Sequence, residues 1–537
     1  MRRWNGWGDD SIEEHVPDRA MALLHELVGP SARPRDATLD EVVAAVRPSR
    51  LEPHAAPGVA LGLDPLERVR HARGHSLPDW IALRTGRLGA TPDAIARPAD
   101  SADVAGLLAS AAARGWTLVP YGGGTSVVGG VTVEPSDRPV VTVDLAELAG
   151  LHHLDETSGL ATFGAGTFGP ALEAALLPRG LTLGHYPQSF ESSTLGGWVA
   201  TRSVGQQAHG YGRIDELFAG GRLETPRGPL DLPPHPASAA GPDLRQAVLG
   251  SEGRIGILTD VTVRASRIAQ LERFSAYVVP DWERALELAR RLGQSGLPLS
   301  MARVSTPLET ATTFALAGDR RGSGLLRRYL GWRGQGPDRC LVTVGLTGDP
   351  AIVGATARAV DDLVRGSHGV AAPGVGPAWR RSRFTAPYLR NALWDAGYAV
   401  DTLETATDWK TLPALATELA RGLRHGLEPI GERVHAFSHL SHPYGTGSSL
   451  YTSYVFRLAG DPEETLQRWR TLKSAASEVI IRHGATISHQ HGVGTDHAPY
   501  LAAEKGPLGM RAIEALVREF DPDGVLHRGV LLEDRPG

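Results

Sequence analysis

A run of three glycines, residues 122–124, is followed by Thr125 and Ser126. Backbone N–H groups in such a turn form a concavity that binds anions, and the two hydroxyl groups extend it. The run lacks the Gly-Lys-Ser/Thr ending of a Walker A loop, and β-branched residues follow it where a Rossmann motif would open a helix. The residues therefore indicate a diphosphate site, with a purely structural turn as the alternative.

Two later segments have the composition of a surface for a long polar ligand. Residues 184–212 read GHYPQSFESSTLGGWVATRSVGQQAHGYG, and such small polar residues could lie flat along a ligand and offer it N–H and hydroxyl groups. Residues 250–257 read GSEGRIGI and feed a predicted strand at residues 255–264. The order of the three segments is more specific than any one of them alone.

The overall composition limits the partners and the kinds of redox centre that the protein can have. A net charge near −5 does not suggest a nucleic-acid partner. Cys340 is the single cysteine, which excludes internal disulfides, paired-cysteine redox centres and iron–sulfur clusters, so redox chemistry would need an organic cofactor. No apolar signal region or run of 18 apolar residues is present, which predicts a cytoplasmic protein and leaves peripheral contact with the inner membrane open.

Alternating strand and helix patterns predict an α+β fold. Strands are predicted at residues 93–98, 117–121, 140–145, 160–167 and 339–348. Helices are predicted within residues 11–28 and at 101–114, 168–177, 281–293 and 462–483. Ser101 is the predicted N-cap of the second of these helices, and Gly484 is the predicted C-cap of the last.

Changes in composition predict four regions. Residues 1–90 form an N-terminal extension, and residues 91–269 contain the glycine run and the two polar segments. Residues 270–456 form an α+β cap domain that binds substrate. Residues 457–537 form a helical C-terminal segment that returns to the cofactor.

The three polar segments together resemble the PCMH-type FAD-binding domain of the vanillyl-alcohol oxidase superfamily. The resemblance implies that the glycine loop holds the FAD diphosphate, that the second segment lines the ribityl chain and isoalloxazine, and that the third contacts the adenosine half. It implies noncovalent FAD, because RPADSADV and VPYGGGTS lack the His that commonly tethers the flavin. The implied FAD contacts are Pro120, Tyr121, Gly122, Gly123, Gly124, Thr125, Ser126, Gln188, Ser189, Ser193, Thr194, Gly197, Thr201, Ser203, Glu252, Ile255, Gly256 and Ile257.

Stretches outside that domain resemble the alkyldihydroxyacetonephosphate synthase family. They are RRWNGWGDDS at residues 2–11, SHLSHPYGTGSSLYTSYVF at 438–456 and ISHQHGVG at 487–494. The resemblance implies an exchange without net redox, in which a fatty alcohol replaces the acyl group of acyl dihydroxyacetone phosphate during ether lipid synthesis. Its partners would be a lipid-like phosphorylated substrate and a fatty alcohol, with a homodimer left open.

The resemblance also implies roles for individual residues. Tyr451 matches the general acid/base, provided that its surroundings lower its pKa. Arg390 matches an arginine that binds the substrate head group, and Arg303 matches a second functional arginine. Further matches are the histidine beside the flavin segment and the histidine-rich motif near the end, which are His185, His489 and His491. The chain departs from the family at Gln490 and Thr495, where the family pattern has His and Lys.

Other interpretations stay open at this point. Tyr451 could be a half-buried structural aromatic, and the arginines could be ordinary salt-bridge partners. His439, His442, His489 and His491 could ligate a metal, although we predict none because FAD already accounts for the site. SHQHG is close to the Ser-His-Glu-His-Gly of FAD-dependent 2-hydroxyacid dehydrogenases, but their His-x-Gly-Asp-Gly-Asn stretch is absent. An FAD-dependent oxidase or dehydrogenase of a 2-hydroxy acid or alcohol is thus the alternative enzyme, and a flavin-binding scaffold is the non-enzymatic one.

Overall fold

A computed structural model describes residues 2–317 and 323–533 of the chain. We define the N-terminal lobe as residues 2–267 and the C-terminal lobe as residues 271–482; residues 483–533 form a final segment. Helices and strands alternate in both lobes, which confirms the α+β prediction. None of the described helices is long and apolar enough to cross a membrane.

The N-terminal lobe contains small sheets and short helices. Its helices are α1 (Asp18–Leu27), α2 (Leu39–Ala44), α3 (Pro65–Arg70), α4 (Leu77–Thr85), α5 (Ser101–Arg114), α6 (Gly169–Leu176), α7 (Leu195–Thr201), α8 (Ala208–Tyr211), α9 (Ile214–Leu217) and α10 (Arg245–Val248), with a 3₁₀ turn at Leu177–Arg179. Its strands are β1 (Leu61–Gly62), β2 (Ala94–Ala96), β3 (Thr117–Tyr121), β4 (Val140–Asp144), β5 (Leu151–Asp155), β6 (Leu160–Gly164), β7 (Leu181–Thr182), β8 (Phe218–Thr225), β9 (Gly228–Leu232), β10 (Ile257–Arg264) and β11 (Ser266–Arg267).

The C-terminal lobe is built on one larger sheet. Its strands are β12 (Leu271–Val279), β13 (Met301–Ser305), β14 (Cys340–Gly348), β15 (Val370–Ala371), β16 (Tyr398–Asp408), β17 (His435–Leu440) and β18 (Gly447–Arg457). Its helices are α11 (Trp282–Gln294), α12 (Pro307–Leu316), α13 (Ser323–Trp332), α14 (Pro350–Gly366), α15 (Val375–Ser382), α16 (Leu389–Asp395), α17 (Leu412–His425) and α18 (Pro462–Arg482), with 3₁₀ turns at Ala386–Tyr388 and Glu428–Ile430; α19 (Ala498–Phe520) belongs to the final segment.

The glycine run lies at the end of a buried parallel pair of strands. β3 and β4 pair in parallel within a sheet of order β1-β2-β4-β3, and a second sheet has the order β5-β6-β10-β8-β9. Every residue of β4 is buried, as expected for a strand covered on both faces. β3 ends at Tyr121, so the chain emerges from the sheet directly into Gly122.

The C-terminal lobe contains a seven-stranded sheet, and we call the face of this sheet that carries Tyr451 the sheet floor. Its order is β15-β12-β14-β13-β17-β18-β16, and each neighbouring pair is antiparallel. Strand β17 forms a hairpin with β18, in which His439 lies opposite Tyr451. Because side chains alternate between the two faces of a strand, Tyr451, Ser453 and Val455 share one face.

The final segment returns to the N-terminal lobe. Leu118 and Leu526 form a parallel bridge, and the Arg254 guanidinium donates to the carbonyl of His527 at 2.5 Å. Two helices of the N-terminal lobe contact the C-terminal lobe, since α1 packs on α12 and α4 packs on α18. Each end of the described chain therefore packs against a lobe distant from it in sequence.

Several predicted boundaries need correction. The N-cap of α5 is Asp100, whose carboxylate accepts the Asp103 N–H, so Ser101 is already helical. The first helix begins only at Asp18, with Pro17 as its N-cap, because a proline disfavours the helical conformation in the residue before it. The strand predicted from Ile255 begins at Ile257. Helix α18 ends at Arg482 with His483 as its C-cap, and Gly484 follows with a φ of +62°.

Candidate active site

One large cavity extends along the N-terminal lobe and over the sheet of the C-terminal lobe. Its volume is about 1010 Å³, at the upper end of the range of about 300–1,000 Å³ for ligand pockets. The glycine run, the two polar segments and the cap sheet all contribute to its wall. The three segments identified from sequence therefore do meet around one space.

The glycine run is shaped by its contact with the second polar segment. A Cβ atom at Gly123 would lie 1.8 Å from the carbonyl oxygen of Ser192, and one at Gly122 would lie 2.2 Å from the Thr194 hydroxyl oxygen. Gly124 has a φ of +64°, a left-handed conformation that favours glycine. The glycines thus permit backbone-to-backbone approach and leave their N–H groups beside the cavity, which fits an anionic cofactor group.

The second segment contains a helix that was not predicted from the sequence. Residues 195–201 form α7, and the Thr194 hydroxyl caps it by accepting the Gly197 N–H. A cap followed by small residues lets a helix form where only polarity was read from the sequence. The cavity-lining members of this segment include all those predicted, namely Gln188, Ser189, Ser193, Thr194, Gly197, Thr201 and Ser203.

The third segment contributes three of its four predicted residues. Glu252, Gly256 and Ile257 line the cavity. Ile255 does not line the cavity and packs in the hydrophobic core, so its contact with FAD stays a prediction. Burial raises the pKa of Glu252 to about 7, although two backbone N–H groups donate to its carboxylate.

Tyr451 stands on the sheet floor at the centre of the cavity. It lies between Glu404 on β16 and His439 on β17, and only 9% of it is exposed. Burial raises its pKa to about 12. This corrects the expectation of a lowered pKa, since the described surroundings place no cation close enough to outweigh desolvation. At neutral pH Tyr451 therefore holds its proton.

Arg390 is a cation without an anionic partner among the described residues. Its Nη1 donates to the carbonyl of His75 at 2.6 Å, and its guanidinium carbon lies 4.3 Å from the centroid of the Trp80 ring. Nε and Nη2 have no hydrogen-bond partner there. Burial lowers the pKa of Arg390 to about 10, so it stays charged at neutral pH. A buried guanidinium with spare donors beside a cavity is suited to a phosphate or carboxylate.

Arg303 also lines the cavity but has a partner. Its Nη2 donates to Glu309, a residue of α12 that is 3% exposed. The carboxylate of Glu309 contacts His439 as well, with Oε2 2.9 Å from Nδ1. Arg303, Glu309 and His439 all border the cavity next to Tyr451. Neither Glu309 nor the pairing of His439 was predicted, because the two residues lie 130 positions apart.

The two histidines near the end of the chain face different ways. His491 lines the cavity and meets the Tyr451 ring edge-on, with ring centroids 5.7 Å apart. His489 does not line the cavity: its Nε2 lies 2.8 Å from the Tyr444 hydroxyl, and its catalytic role stays a prediction. Its Nδ1 is 3.2 Å from Glu404, a buried residue. The intervening Gln490 lines the cavity and donates to Glu404.

Glu404, His442 and His489 form the group of described residues with metal-ligand spacing. One ligand atom from each lies within 4.8 Å of the others. The Glu404 carboxylate also accepts hydrogen bonds from Ser441 and Gln490. Burial raises the pKa of Glu404, but the neighbouring histidines outweigh it and hold that pKa well below its usual range. The group is thus a buried hydrogen-bonded support for the cavity floor.

His185 does not reach the cavity either. Its Nε2 lies 2.9 Å from the hydroxyl of Ser203, and its ring packs against Trp198 with centroids 4.8 Å apart. Burial lowers its pKa to about 3, so it is neutral. Its contact with Ser203, which lines the cavity, links it to the site only indirectly, and its catalytic role stays a prediction.

Beyond Tyr451 the cavity becomes apolar. Helices α1 and α12 and the far ends of β17 and β18 form this arm, which includes Leu23, Leu24, Phe314, Leu316, Phe437 and Val455. Val455 is four residues along β18 from Tyr451, or about 13 Å at the usual strand rise. The arm therefore has the length and character of a site for a hydrocarbon chain.

Comparisons with known proteins agree with this geometry. The family model for the C-terminal domain of FAD-linked oxidases matches residues 246–531, and that for an FAD-binding domain matches residues 92–230. The alkyldihydroxyacetonephosphate synthase of Dictyostelium discoideum is 28% identical, over 97% of this chain and 92% of that protein. The synthase of Trypanosoma brucei brucei is 26% identical, over 99% and 93%.

A solved alkyldihydroxyacetonephosphate synthase structure superposes with a TM-score of 0.84 at 24% identity, covering 99% of this chain and 98% of that one. A 4-ethylphenol oxidase from Gulosibacter chungangensis superposes with a TM-score of 0.66 at 13% identity, covering 97% of this chain and 98% of that one. These likenesses confirm the predicted vanillyl-alcohol-oxidase-type fold. The protein binds FAD through its N-terminal lobe and belongs to the FAD-linked oxidase family.

Proposed function

We propose that the protein is an FAD-dependent alkyldihydroxyacetonephosphate synthase, which exchanges the acyl group of acyl dihydroxyacetone phosphate for a fatty alcohol. One observation carries the proposal. A single cavity joins the FAD-binding segments, an unpaired guanidinium and an apolar arm. The similarity to synthases over nearly the whole chain supports it.

The polar centre of the cavity suits the head group of this substrate. Arg390 offers two unused donor positions, Nε and Nη2, to a phosphate or to the departing carboxylate. Arg303 adds a second positive charge on the sheet floor, although Glu309 offsets part of it. We infer that Arg390 is the principal anion ligand of the substrate.

The apolar arm suits the acyl chain and the incoming alcohol. Each methylene group buried there contributes about 0.8 kcal/mol of transfer free energy. Because this contribution grows with every methylene group that the arm buries, substrates with short chains would bind weakly. The same arm has no evident use for a small 2-hydroxy acid.

FAD and Tyr451 have different roles at the reacting carbon. FAD, when bound, supplies an electrophilic ring system to which the substrate carbon is presented. Tyr451, with its proton retained, can donate a hydrogen bond to the departing carboxylate.

The FAD is held noncovalently in this proposal. The histidines that line the cavity within the described residues are His15, His435, His439 and His491, and none of them belongs to the glycine run or the two polar segments. We expect acid-precipitated protein to release its flavin as intact FAD. Flavin that stays in the protein pellet would contradict noncovalent binding.

The exchange reaction itself is the decisive test. Purified holoprotein is incubated with palmitoyl dihydroxyacetone phosphate and labelled hexadecanol, and the lipid extract is analysed for labelled ether. We expect ether product and an equal amount of free palmitate. Free palmitate without ether would indicate simple hydrolysis and would overturn the proposal.

A second candidate is an FAD-dependent oxidoreductase acting on a 2-hydroxy acid or alcohol. The observation that favours it is the same Arg390 guanidinium, since a carboxylate would satisfy its free donors as well as a phosphate. Anaerobic addition of D-lactate, D-2-hydroxyglutarate or hexadecanol distinguishes the two. We expect no bleaching of the oxidised flavin, whereas reduction by any of them would support the oxidoreductase.

We further propose that α13 contacts a membrane from which the lipid substrate enters. Leu325 and Trp332, one heptad apart on this helix, are 73% and 81% exposed, and Arg328 and Arg333 are exposed beside them. Leu326 of the same helix lines the cavity. Apolar side chains flanked by arginines suit an interface with anionic lipid. Cytoplasmic localisation and a homodimer stay predictions.

Sedimentation with vesicles tests this contact. We expect binding to phosphatidylglycerol vesicles but not to phosphatidylcholine vesicles, and weaker binding after Leu325→Ala and Trp332→Ala are combined. Leu508→Ala is the matched control, because Leu508 is 71% exposed on α19, outside the arginine-flanked helix. Equal loss of binding in both variants would contradict a specific role for α13.

A further inference from the structure

His439 and Tyr451 form a stacked pair on the cavity floor. Their ring centroids are 4.9 Å apart and the ring planes differ by 22°. The two residues lie directly opposite one another on β17 and β18, and both line the cavity. Any substrate that reaches the Tyr451 hydroxyl therefore also passes the edge of the His439 ring.

The far side of the His439 ring is held by a carboxylate. Glu309 Oε2 lies 2.9 Å from Nδ1 of His439, and both side chains are buried. Burial raises the pKa of Glu309, but the contacts with His439 and Arg303 outweigh it and hold that pKa at about 2. Glu309 is therefore ionised and can only accept, so Nδ1 carries the proton of the hydrogen bond.

This hydrogen bond determines the tautomer of His439. Arg303 Nη2 also lies 3.2 Å from Nδ1, but two donors cannot bond to each other, and Arg303 donates to the other oxygen of Glu309. With the proton on Nδ1, the lone pair of the neutral ring resides on Nε2. Nε2 has no hydrogen-bond partner among the described residues, so it is free to accept a proton from a ligand in the cavity.

The charges around His439 favour its neutral form. Burial lowers the pKa of His439, and so does the charge of Arg303, whereas Glu309 and Glu404 raise it. At neutral pH the ring is a free base. Tyr451 has the opposite property, since its raised pKa keeps it protonated. The two stacked rings therefore have complementary capacities, one to accept a proton and the other to donate one.

From this geometry we propose that His439, oriented by Glu309, is the general base of the reaction, and that Tyr451 acts as the hydrogen-bond donor beside it. The assignment rests on the proposed function. The arrangement parallels the way a carboxylate orients a catalytic imidazole in other enzymes.

In the proposed reaction His439 removes a proton from C1 of the substrate and later returns it. In acyl dihydroxyacetone phosphate, C1 lies next to the C2 ketone, so its hydrogen is acidified. Nε2 of His439 takes that proton, and the electron pair of the C–H bond stays on the substrate, delocalised to the ketone oxygen. His439 becomes an imidazolium whose charge faces the Glu309 carboxylate. It returns that proton to C1 at the end of the exchange. Over the whole exchange the bond between C1 and the acyl oxygen is broken, the carboxylate leaves with its electron pair, the alcohol oxygen forms the new bond to C1, and the hydroxyl proton of the alcohol is released to solvent.

The first experiment measures exchange of the C1 hydrogen. Holoprotein is incubated in D₂O with palmitoyl dihydroxyacetone phosphate without alcohol, and deuterium at C1 is measured by mass spectrometry. We expect His439→Gln to retain FAD and its melting temperature but to lower both this exchange and ether formation by about 10²–10⁴-fold. The matched control is His483→Gln, because His483 also pairs with a glutamate, at 3.3 Å, but lies outside the cavity.

The second experiment measures the pH profile of Glu309→Gln. Removal of the carboxylate deprives His439 of one of the two groups that raise its pKa, so the rising limb of kcat should move to lower pH, with a lower plateau. A structural role alone would lower activity without moving the limb. Wild-type exchange in His439→Gln, or an unmoved limb in Glu309→Gln, would overturn the base assignment while leaving the proposed function intact. A wild-type protein that forms no ether would overturn the proposed function and this assignment with it.

Discussion

The carboxylate of Glu252 accepts the backbone N–H of Gly494 at 2.8 Å, across 242 positions of the chain. Its other oxygen accepts the N–H of Val493 at 2.6 Å. Glu252 itself has a φ of +51°, a left-handed conformation that non-glycine residues rarely adopt. The contact ties the third FAD segment to the stretch that carries Gln490 and His491. Cofactor binding and placement of His491 are therefore coupled through one side chain.

Glu252→Ala should weaken both functions of this contact. The two backbone N–H groups would lose their acceptor, at a cost of about 1–3 kcal/mol each. We expect a lower unfolding free energy in urea and a lower FAD content after gel filtration. Glu514→Ala is the control, because Glu514 is exposed on α19. Normal FAD retention in Glu252→Ala would show that the contact is dispensable.

Gly123→Val should empty the FAD site without unfolding the C-terminal lobe. The added Cβ would lie 1.8 Å from the Ser192 carbonyl oxygen, so the glycine loop and the second segment would be forced apart. Gly123 has no positive φ, so close packing rather than a left-handed backbone conformation requires glycine at this position. We expect the ratio of flavin to protein absorbance to fall close to zero.

The control for this substitution is Gly460→Val. A Cβ atom at Gly460 would meet no atom within 4 Å beyond its chain neighbours, and Gly460 has no positive φ, so a side chain fits there. The control variant should keep a full complement of FAD. A normal flavin ratio in Gly123→Val would show that the loop can move away from Ser192 and would contradict the close-packing argument.

Sequence was most informative where local pattern decides structure. The helix predicted at 281–293 forms over Trp282–Gln294, because Asp281 caps it and Ala285, Leu288, Ala289 and Leu292 form one buried stripe. The strand predicted at 117–121 forms over those residues. Because such elements depend on neighbours within a few positions, the patterns around the glycine run placed it correctly at a strand end.

Sequence was least informative where distant residues decide which way a side chain points. His489 and His491, two positions apart, would share a face in a strand, but no strand forms there. Contacts with Glu404 on β16 and with the Tyr444 hydroxyl instead hold His489 away from the cavity. The pairing of Glu309 with His439 likewise depends on the packing of α12 on β17, and no local sequence motif predicts it.

The stability of the protein should depend on pH through Glu309. Its pKa in the folded protein is about 2, against an ordinary value of 4.5. Its ionised form therefore stabilises the fold above about pH 4.5, and that contribution is lost as pH falls toward 2. Because Glu309→Gln alone would also lower the pKa of His439 and add a second acid-sensitive group, the test uses the double variant Glu309→Gln/His439→Gln. We expect its urea midpoint to fall less between pH 6 and pH 3.5 than that of the wild type. Glu514→Gln should follow the wild-type curve, and parallel curves for all three proteins would contradict the assignment.

Tyr451→Phe should separate chemistry from packing. The substitution removes one oxygen and opens no cavity, and the ring can keep its stacking on His439. With the hydroxyl gone, the departing carboxylate loses its hydrogen-bond donor, so we expect FAD content and melting temperature to be unchanged and ether formation to fall by about 10²–10⁴-fold. Because His439 is retained, exchange of the C1 hydrogen with D₂O should fall much less than ether formation.

The control must remove a tyrosine hydroxyl elsewhere. Tyr454 is unsuitable, because its hydroxyl donates to the buried carboxylate of Asp401 at 2.8 Å. Tyr500 is better: its hydroxyl donates to Ser474 and it does not line the cavity. Tyr500→Phe should form ether at the wild-type rate.

If Tyr451→Phe also forms ether at the wild-type rate, the Tyr451 hydroxyl is dispensable, and His491, which meets the same ring edge-on, becomes the next candidate donor. If C1 exchange falls as far as ether formation, Tyr451 takes part in proton abstraction, and the division of roles between the stacked rings is wrong.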